Sequence, residues 1–152
     1  MKIPINKDFE EFFCCLNKNG VDYVIVGGYA VMYYSEPIAT KDLDIYVDPT
    51  EENSKKVYKS ICDFFGEKIR DLTEGDFAKP GIIYQIGVSP NRIDIITEMR
   101  GVPFHDAWKN RVSAKYGKEP IWIIDRESLI KNKKFLKREQ DLWHLKKLKE
   151  KK

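Results

Sequence analysis

The chain of 152 residues lacks any apolar run that approaches the roughly 18 residues of a membrane span. It also lacks a recognisable signal peptide before its first predicted helix, an internal repeat and a low-complexity linker. These absences exclude a membrane-spanning protein and a repeat array. They predict a cytoplasmic protein without membrane association, folded as a single domain over residues 1–152.

Histidine and cysteine are also scarce. The two histidines, His105 and His144, are too isolated in the sequence to predict a shared metal site. Cys14, Cys15 and Cys62 form an odd number without the paired spacing of a zinc site. We therefore expect buried, reduced thiols rather than disulfides or metal ligands.

The charge balance does not by itself identify a partner. The net charge of +3 is too small to indicate nucleic-acid binding, and a hydrophobic content of 42% is typical of a globular protein. Lysine is concentrated after residue 130, whereas carboxylates crowd the middle of the chain. A solvated helix face explains this lysine, and a surface that faces phosphate or RNA is the alternative.

The pattern of apolar and turn residues predicts an α+β fold with a mixed β-sheet and flanking helices. Strands are predicted at 22–26, 42–47, 82–88, 92–96, 112–116 and 120–124. Helices are predicted between Asn6 and Asn19, at 29–34, from Pro49 to Gly66, after Asp125 and at 137–149, with a short helix or turn at 102–109. We expect the last two helices to form a C-terminal appendage that packs on the sheet.

Two adjacent glycines, Gly27 and Gly28, follow the first predicted strand and precede a predicted helix. One interpretation is a tight turn between the strand and the helix. The other is a phosphate-binding turn, in which backbone N–H groups and the helix N-terminus receive phosphate oxygens. Glycine suits the second interpretation because the absence of a Cβ lets a triphosphate come close.

Three aspartates lie in two of the predicted strands. Asp42 and Asp44 face the same side because strand side chains alternate, and Asp94 lies in the strand 92–96. Carboxylates brought together repel one another unless a cation lies between them, and oxygen ligands of this kind suit Mg²⁺. The pattern predicts a magnesium (or manganese) site with these three aspartates as ligands. A polar strand face is the alternative.

This ordered set resembles the signature of the polymerase β nucleotidyltransferase superfamily. The segments V-G-G-Y-A-V and T-K-D-L-D-I are similar to those of its small prokaryotic branch, which includes abortive-infection toxin-like nucleotidyltransferases. A further similarity lies in the C-terminal segment, with Leu129-Ile130-Lys131-Asn132-Lys133, Arg138 and Gln140-Asp141-Leu142. The resemblance spans roughly residues 20–148. Ile38 and Tyr29 depart from it, since arginine and serine respectively are frequent there.

The resemblance implies a nucleotidyltransferase core that moves a nucleoside monophosphate from NTP to a hydroxyl of RNA, a protein or a small molecule, with release of pyrophosphate. Asp42 and Asp44 would be catalytic ligands shared by two cations, and Asp94 would bind only the catalytic cation. The nucleotide-binding residues it implies are Gly27, Gly28, Tyr29, Thr40, Lys41, Lys133 and Arg138.

Each of these assignments has an alternative. Lys41, Lys133 and Arg92, which is a further candidate for phosphate contact, can instead be solvated side chains. Arg138 can be oriented for nucleotide binding by Asp141, or the two can form only a structural ion pair. For the whole chain, the alternative function is a non-catalytic binding module with the nucleotidyltransferase fold, such as a toxin–antitoxin partner.

Overall fold

A computed structural model describes residues 5–36 and 42–150. Over these residues the chain has an α+β fold with six helices and a six-stranded mixed sheet. The strands are β1 (Tyr23–Val26), β2 (Leu43–Val47), β3 (Ile83–Ile86), β4 (Ile93–Ile96), β5 (Val112–Tyr116) and β6 (Glu119–Ile123). The helices are α1 (Lys7–Lys18), α2 (Gly27–Tyr34), α3 (Glu51–Phe65), α4 (Phe104–Lys109), α5 (Arg126–Leu136) and α6 (Glu139–Glu150).

The sheet has the strand order β3-β4-β2-β1-β6-β5. The pairs β2–β4 and β1–β6 are parallel, and the remaining pairs are antiparallel. In this register Val26 lies opposite Asp44, and Asp44 lies opposite Asp94. The C-terminal end of β1 therefore meets the N-terminal ends of β2 and β4 at one end of the sheet, where β1 continues directly into α2.

Helix α1 shows how local sequence positions the core. The side chain of Asn6 caps it by accepting hydrogen bonds from the N–H groups of Asp8 and Phe9. Its buried residues recur with helical spacing: Phe9, Phe12, Phe13 and Leu16. This face packs in the core while α1 also contacts α3. Full burial of each such side chain contributes roughly 1.5–3 kcal/mol, so α1 anchors the sheet.

The C-terminal helices pack on each other and on α2. Asp125 caps α5 by accepting from the N–H of Ser128. Lys137 has a left-handed conformation (φ 53°) that ends α5, so α6 begins at Glu139 and not at residue 137 as predicted. Among the helices described, none combines the length and the apolar character that a membrane span requires.

Two groups of predictions need correction. Strands β2 and β3 are shorter than expected, and Asp42 precedes β2 instead of belonging to it. The cysteines are free thiols as predicted, but Cys14 is exposed and Cys15 and Cys62 are partly exposed. The apolar face of α1 is filled by phenylalanines and Leu16, so Cys14 is left on the outer face of that helix.

Candidate active site

A cleft of about 1150 Å³ opens where β1, β2 and β4 meet α5 and α6. Its wall on the sheet side contains Asp42, Asp44, Arg92 and Asp94, and is called the carboxylate wall below. The opposite side, formed by Lys133 and Arg138 together with the buried Asp141 that both contact, is called the cation wall. Gly27 and Gly28 also line the cleft, so most of the residues singled out from the sequence meet here.

Gly27 is a turn residue that also makes room for a carboxylate. Its φ of 67° lies in the left-handed region that glycine adopts without strain. A Cβ at this position would lie 2.2 Å from Oδ2 of Asp44, so any side chain would displace that carboxylate. The start of α2 has no side-chain cap, since its N-cap residue is Val26. The first N–H groups of α2 thus donate no hydrogen bond to an N-cap side chain, and the carboxylate of Asp44 lies close to Gly27.

The strand register places the three aspartates on one face. Residues directly opposite one another in adjacent strands share a face, so Asp44 and Asp94 point the same way. Asp42 lies two residues before Asp44 and shares that side. Asp44 and Asp94 therefore share a face and line one cleft with Asp42. Like charges in such an arrangement are unfavourable without compensation.

Arg92 supplies part of that compensation. Its Nε lies 2.8 Å from Oδ1 of Asp94, and its Nη2 lies 3.2 Å from Oδ2 of Asp94 and 3.1 Å from Oδ2 of Asp42. The hydroxyl of Ser89 donates to both oxygens of Asp42 at 3.0 and 3.1 Å. Arg92 is thus an ion-pair partner of the aspartates and not the solvated side chain offered as the alternative.

Asp44 has the most perturbed carboxylate of the wall. Burial, with the negative charges of Asp94 and Asp42, raises its pKa to about 7, and the positive charge of Lys133 opposes this only in part. A carboxyl group of this kind is poised between its charged and neutral forms near neutral pH. A cation placed beside it would favour the charged form.

The oxygen donors have the chemistry that Mg²⁺ prefers, but two of the three are already engaged by a guanidinium. Within residues 5–36 and 42–150, no group of three or more His, Cys, Asp or Glu side chains is arranged to hold a metal ion. Arg92 occupies oxygens of both Asp42 and Asp94. The same donors fit a divalent cation only if Arg92 moves aside.

The cation wall is more deeply buried. Asp141 is fully buried and accepts from Nζ of Lys133 at 3.1 Å and from Nε of Arg138 at 2.6 Å. Burial alone would raise the pKa of Asp141, but the hydrogen bonds from Arg138 and Lys133 lower it below its ordinary value. The pairing of Arg138 with Asp141 was expected from the sequence. The burial of Lys133, which is 3% exposed, was not.

Two residues of α6 that line the cleft were not assigned to it from the sequence. Trp143 is 46% exposed there, and His144 lies one helical turn beyond Asp141. Burial, together with the positive charge of Lys133, lowers the pKa of His144 to about 4. Its Nδ1 is buried and has no hydrogen-bond partner in the described part of the chain. The spacing from Asp141 was the available signal, because residues three apart share a helix face.

Among the described residues, the implied nucleotide-binding residue Tyr29 does not line this cleft. Tyr29 packs edge-on against Phe9 and contacts Tyr116, and it lines a separate cavity of about 570 Å³. Thr40 and Lys41 lie outside the described residues, as does Ile38.

Comparison with known proteins gives no independent assignment: no protein-family model and no curated protein sequence matches the chain.

Proposed function

We propose that this protein is a metal-dependent nucleotidyltransferase that moves a nucleoside monophosphate from NTP to a hydroxyl acceptor. The observation that carries the proposal is the register across three neighbouring strands, in which Val26, Asp44 and Asp94 are aligned beside the glycine turn. This alignment supports the resemblance to the polymerase β superfamily, because carboxylates and a phosphate-accepting helix start lie in one cleft.

In the proposed reaction, the acceptor hydroxyl releases its proton to solvent, and its oxygen attacks the α-phosphorus of the NTP. The bond from this phosphorus to the α,β-bridging oxygen breaks, and pyrophosphate leaves. Bound Mg²⁺ (or Mn²⁺) would supply charge neutralisation on the phosphates and acidify the acceptor hydroxyl. Asp42, Asp44 and Asp94 would hold these cations, so that positioning and electrostatics carry the catalysis.

The remaining residues of the cleft have roles toward the triphosphate. The backbone N–H groups of Gly27 and Gly28 receive phosphate oxygens at the uncapped start of α2. Lys133 and Arg138, from the opposite wall, bind the negative charge of the same group. The opposite charges of the two walls support these roles. The carboxylates would hold the cations and the cationic side chains would bind phosphate oxygens of the same NTP.

Transfer of label from each α-³²P-labelled NTP onto total RNA, protein and small-molecule fractions tests the proposal. The wild-type protein should label one fraction in the presence of Mg²⁺ or Mn²⁺. Asp44→Asn should reduce transfer at least about a thousandfold while the protein stays folded, because the loss of a shared ligand removes transition-state stabilisation. Asp71→Asn, an exposed aspartate outside the cleft, is the matched control and should transfer label like the wild type. Equal transfer by Asp44→Asn would contradict the proposal.

The second candidate function is a non-catalytic binding module that keeps this fold, such as a toxin–antitoxin partner. The ion pairs of Arg92 favour this function, because they give Asp42 and Asp94 a structural role that requires no metal. The same assay separates the two functions. A wild-type protein that transfers no label from any NTP with either metal supports the binding module.

A further inference from the structure

Arg92 lies among the residues proposed to hold the metal. Its guanidinium contacts Asp42, which precedes β2, at 3.1 Å, and Asp94, which lies in β4, at 2.8 and 3.2 Å. Hydrogen bonds between a guanidinium and carboxylates are strong and directional, and a planar fork can satisfy two acids at once. The contacts therefore fix the positions of both carboxylates.

The register of the sheet explains why Arg92 occupies this place. The N–H of Leu43 donates to the carbonyl oxygen of Arg92, and Leu43 lies opposite Ile93. Arg92 thus lies immediately before β4, two residues before Asp94, and its side chain reaches both Asp94 and Asp42. The pairing of β2 with β4 therefore sets the position of Arg92 beside both aspartates.

We infer that Arg92 is an internal counter-ion that competes with the divalent cation for Asp42 and Asp94. Without metal, the guanidinium offsets the repulsion among the aspartates and keeps their carboxylates in place. Metal binding requires that Arg92 leave these oxygens, because a guanidinium and a cation cannot use the same lone pairs. Arg92 is a positioning residue in this scheme and not a ligand. The inference rests on the proposed function, since it concerns the same site.

The competition has a measurable consequence. Removal of the guanidinium leaves Asp42 and Asp94 without their partner and makes them better ligands, so the affinity for metal alone should rise. The size of the effect follows from the strength of charged hydrogen bonds, and we expect about a ten- to hundredfold lower Kd for Mn²⁺ in Arg92→Gln. Arg92→Lys keeps the charge but loses the fork, so its Kd should lie between the two.

Titration calorimetry and electron paramagnetic resonance with Mn²⁺ alone, at fixed pH and ionic strength, test the inference. Arg70→Gln, which removes an exposed arginine outside the cleft, controls for the change in net charge and should bind Mn²⁺ like the wild type. A melting curve for each variant establishes that it is folded. If Arg92→Gln is unfolded, the result for Arg92→Lys tests the inference. A Mn²⁺ affinity of Arg92→Lys equal to that of the wild type contradicts the competition.

The possible outcomes separate this inference from the proposed function. Unchanged or weaker Mn²⁺ binding by folded Arg92→Gln, in a protein that transfers label, overturns the inference and leaves the function standing. The absence of saturable Mn²⁺ binding in both proteins, with and without NTP, overturns both. Both are supported if Arg92→Gln binds Mn²⁺ more tightly than the wild type and the double variant Arg92→Gln/Asp44→Asn does not bind it.

Discussion

On the carboxylate wall one arginine pairs with two of three aspartates, whereas on the cation wall a single buried aspartate is shared by Lys133 and Arg138. The first arrangement leaves the acids in excess, and it includes Asp44 with a pKa of about 7. In the second arrangement Asp141 is fully buried and accepts from both cations. A buried, well-paired cluster is costly to break, whereas an excess of like charge is relieved when one charge is removed. We therefore expect substitutions at the two walls to change stability in opposite directions.

The largest effect is expected at Asp141. Asp141→Ala leaves Lys133 buried without its carboxylate partner, so the free energy of unfolding should fall by about 3–5 kcal/mol, as for other broken buried ion pairs. Chemical denaturation at pH 7 measures this loss. Glu139→Ala, at an exposed position in the first turn of α6, is the control and should change stability by less than about 0.5 kcal/mol. A loss for Asp141→Ala as small as that of the control would mean that the cation wall does not support the fold.

Lys133→Met sharpens the comparison because it tests both binding and stability. The resemblance implies that Lys133 binds nucleotide, with a solvated lysine as the alternative, but Lys133 is 3% exposed and bonded to Asp141. We expect NTP binding to weaken by about 1–3 kcal/mol and the melting temperature to fall as well. Arg138→Gln is the matched variant. Its side chain is 56% exposed, so its ion pair should contribute at most about 1 kcal/mol to stability.

Calorimetric titration with NTP and a melting curve for both variants check this prediction. If Lys133→Met destabilises the protein but binds NTP as the wild type does, Lys133 belongs to the scaffold alone.

At the carboxylate wall the expected change has the opposite sign. Burial raises the pKa of Asp44 from 3.8 to about 7 in the folded protein, so the folded state holds a proton that the unfolded state has lost between these values. The contribution of Asp44 to stability therefore falls as the pH rises from about 4 to about 7 and stays low above it. Asp44→Asn removes the destabilisation that ionisation of this buried carboxyl group causes. The metal-free variant should therefore be more stable than the wild type by about 1–3 kcal/mol at pH 8.

Denaturation of both proteins with a chelator present, at pH 5 and pH 8, measures the difference. The advantage of Asp44→Asn should be smaller at pH 5. A variant that is less stable than the wild type at pH 8 would show that Asp44 is not under repulsion in the folded protein.

The comparison of the walls also marks what the sequence can predict. The shared side of Asp42 and Asp44 was predictable, because strand alternation fixes the face of each residue. The position of Asp94 opposite Asp44 and the ion pairs of Arg92 were not determined by local patterns, since both depend on which strand lies beside β2 and in which register. The burial of Lys133 and the packing of Tyr29 away from the cleft likewise depend on how α5, α6 and α1 pack, which local patterns do not determine.

The smallest expected effect concerns His144, which adjoins the cation wall. Burial, with the positive charges of Lys133 and Arg138, lowers its pKa from 6.5 to about 4, and the charge of Asp141 opposes this only in part. The folded protein therefore keeps His144 neutral at pH values where the unfolded chain binds a proton. The stability that this group contributes is present above about pH 6.5 and is lost as the pH falls toward 4.

His144→Gln removes this titration, so its free energy of unfolding should fall less than that of the wild type between pH 7 and pH 5, by about 1–2 kcal/mol. His105→Gln, at an exposed position outside the cleft, is the matched control and should follow the wild type. Urea denaturation at the two pH values measures the difference for each protein. Equal pH dependence of His144→Gln and the wild type would mean that His144 is solvated enough to titrate normally. Solvent would then screen the positive charges of Lys133 and Arg138 from His144. The effect of these charges on Asp44 across the cleft would be correspondingly weak.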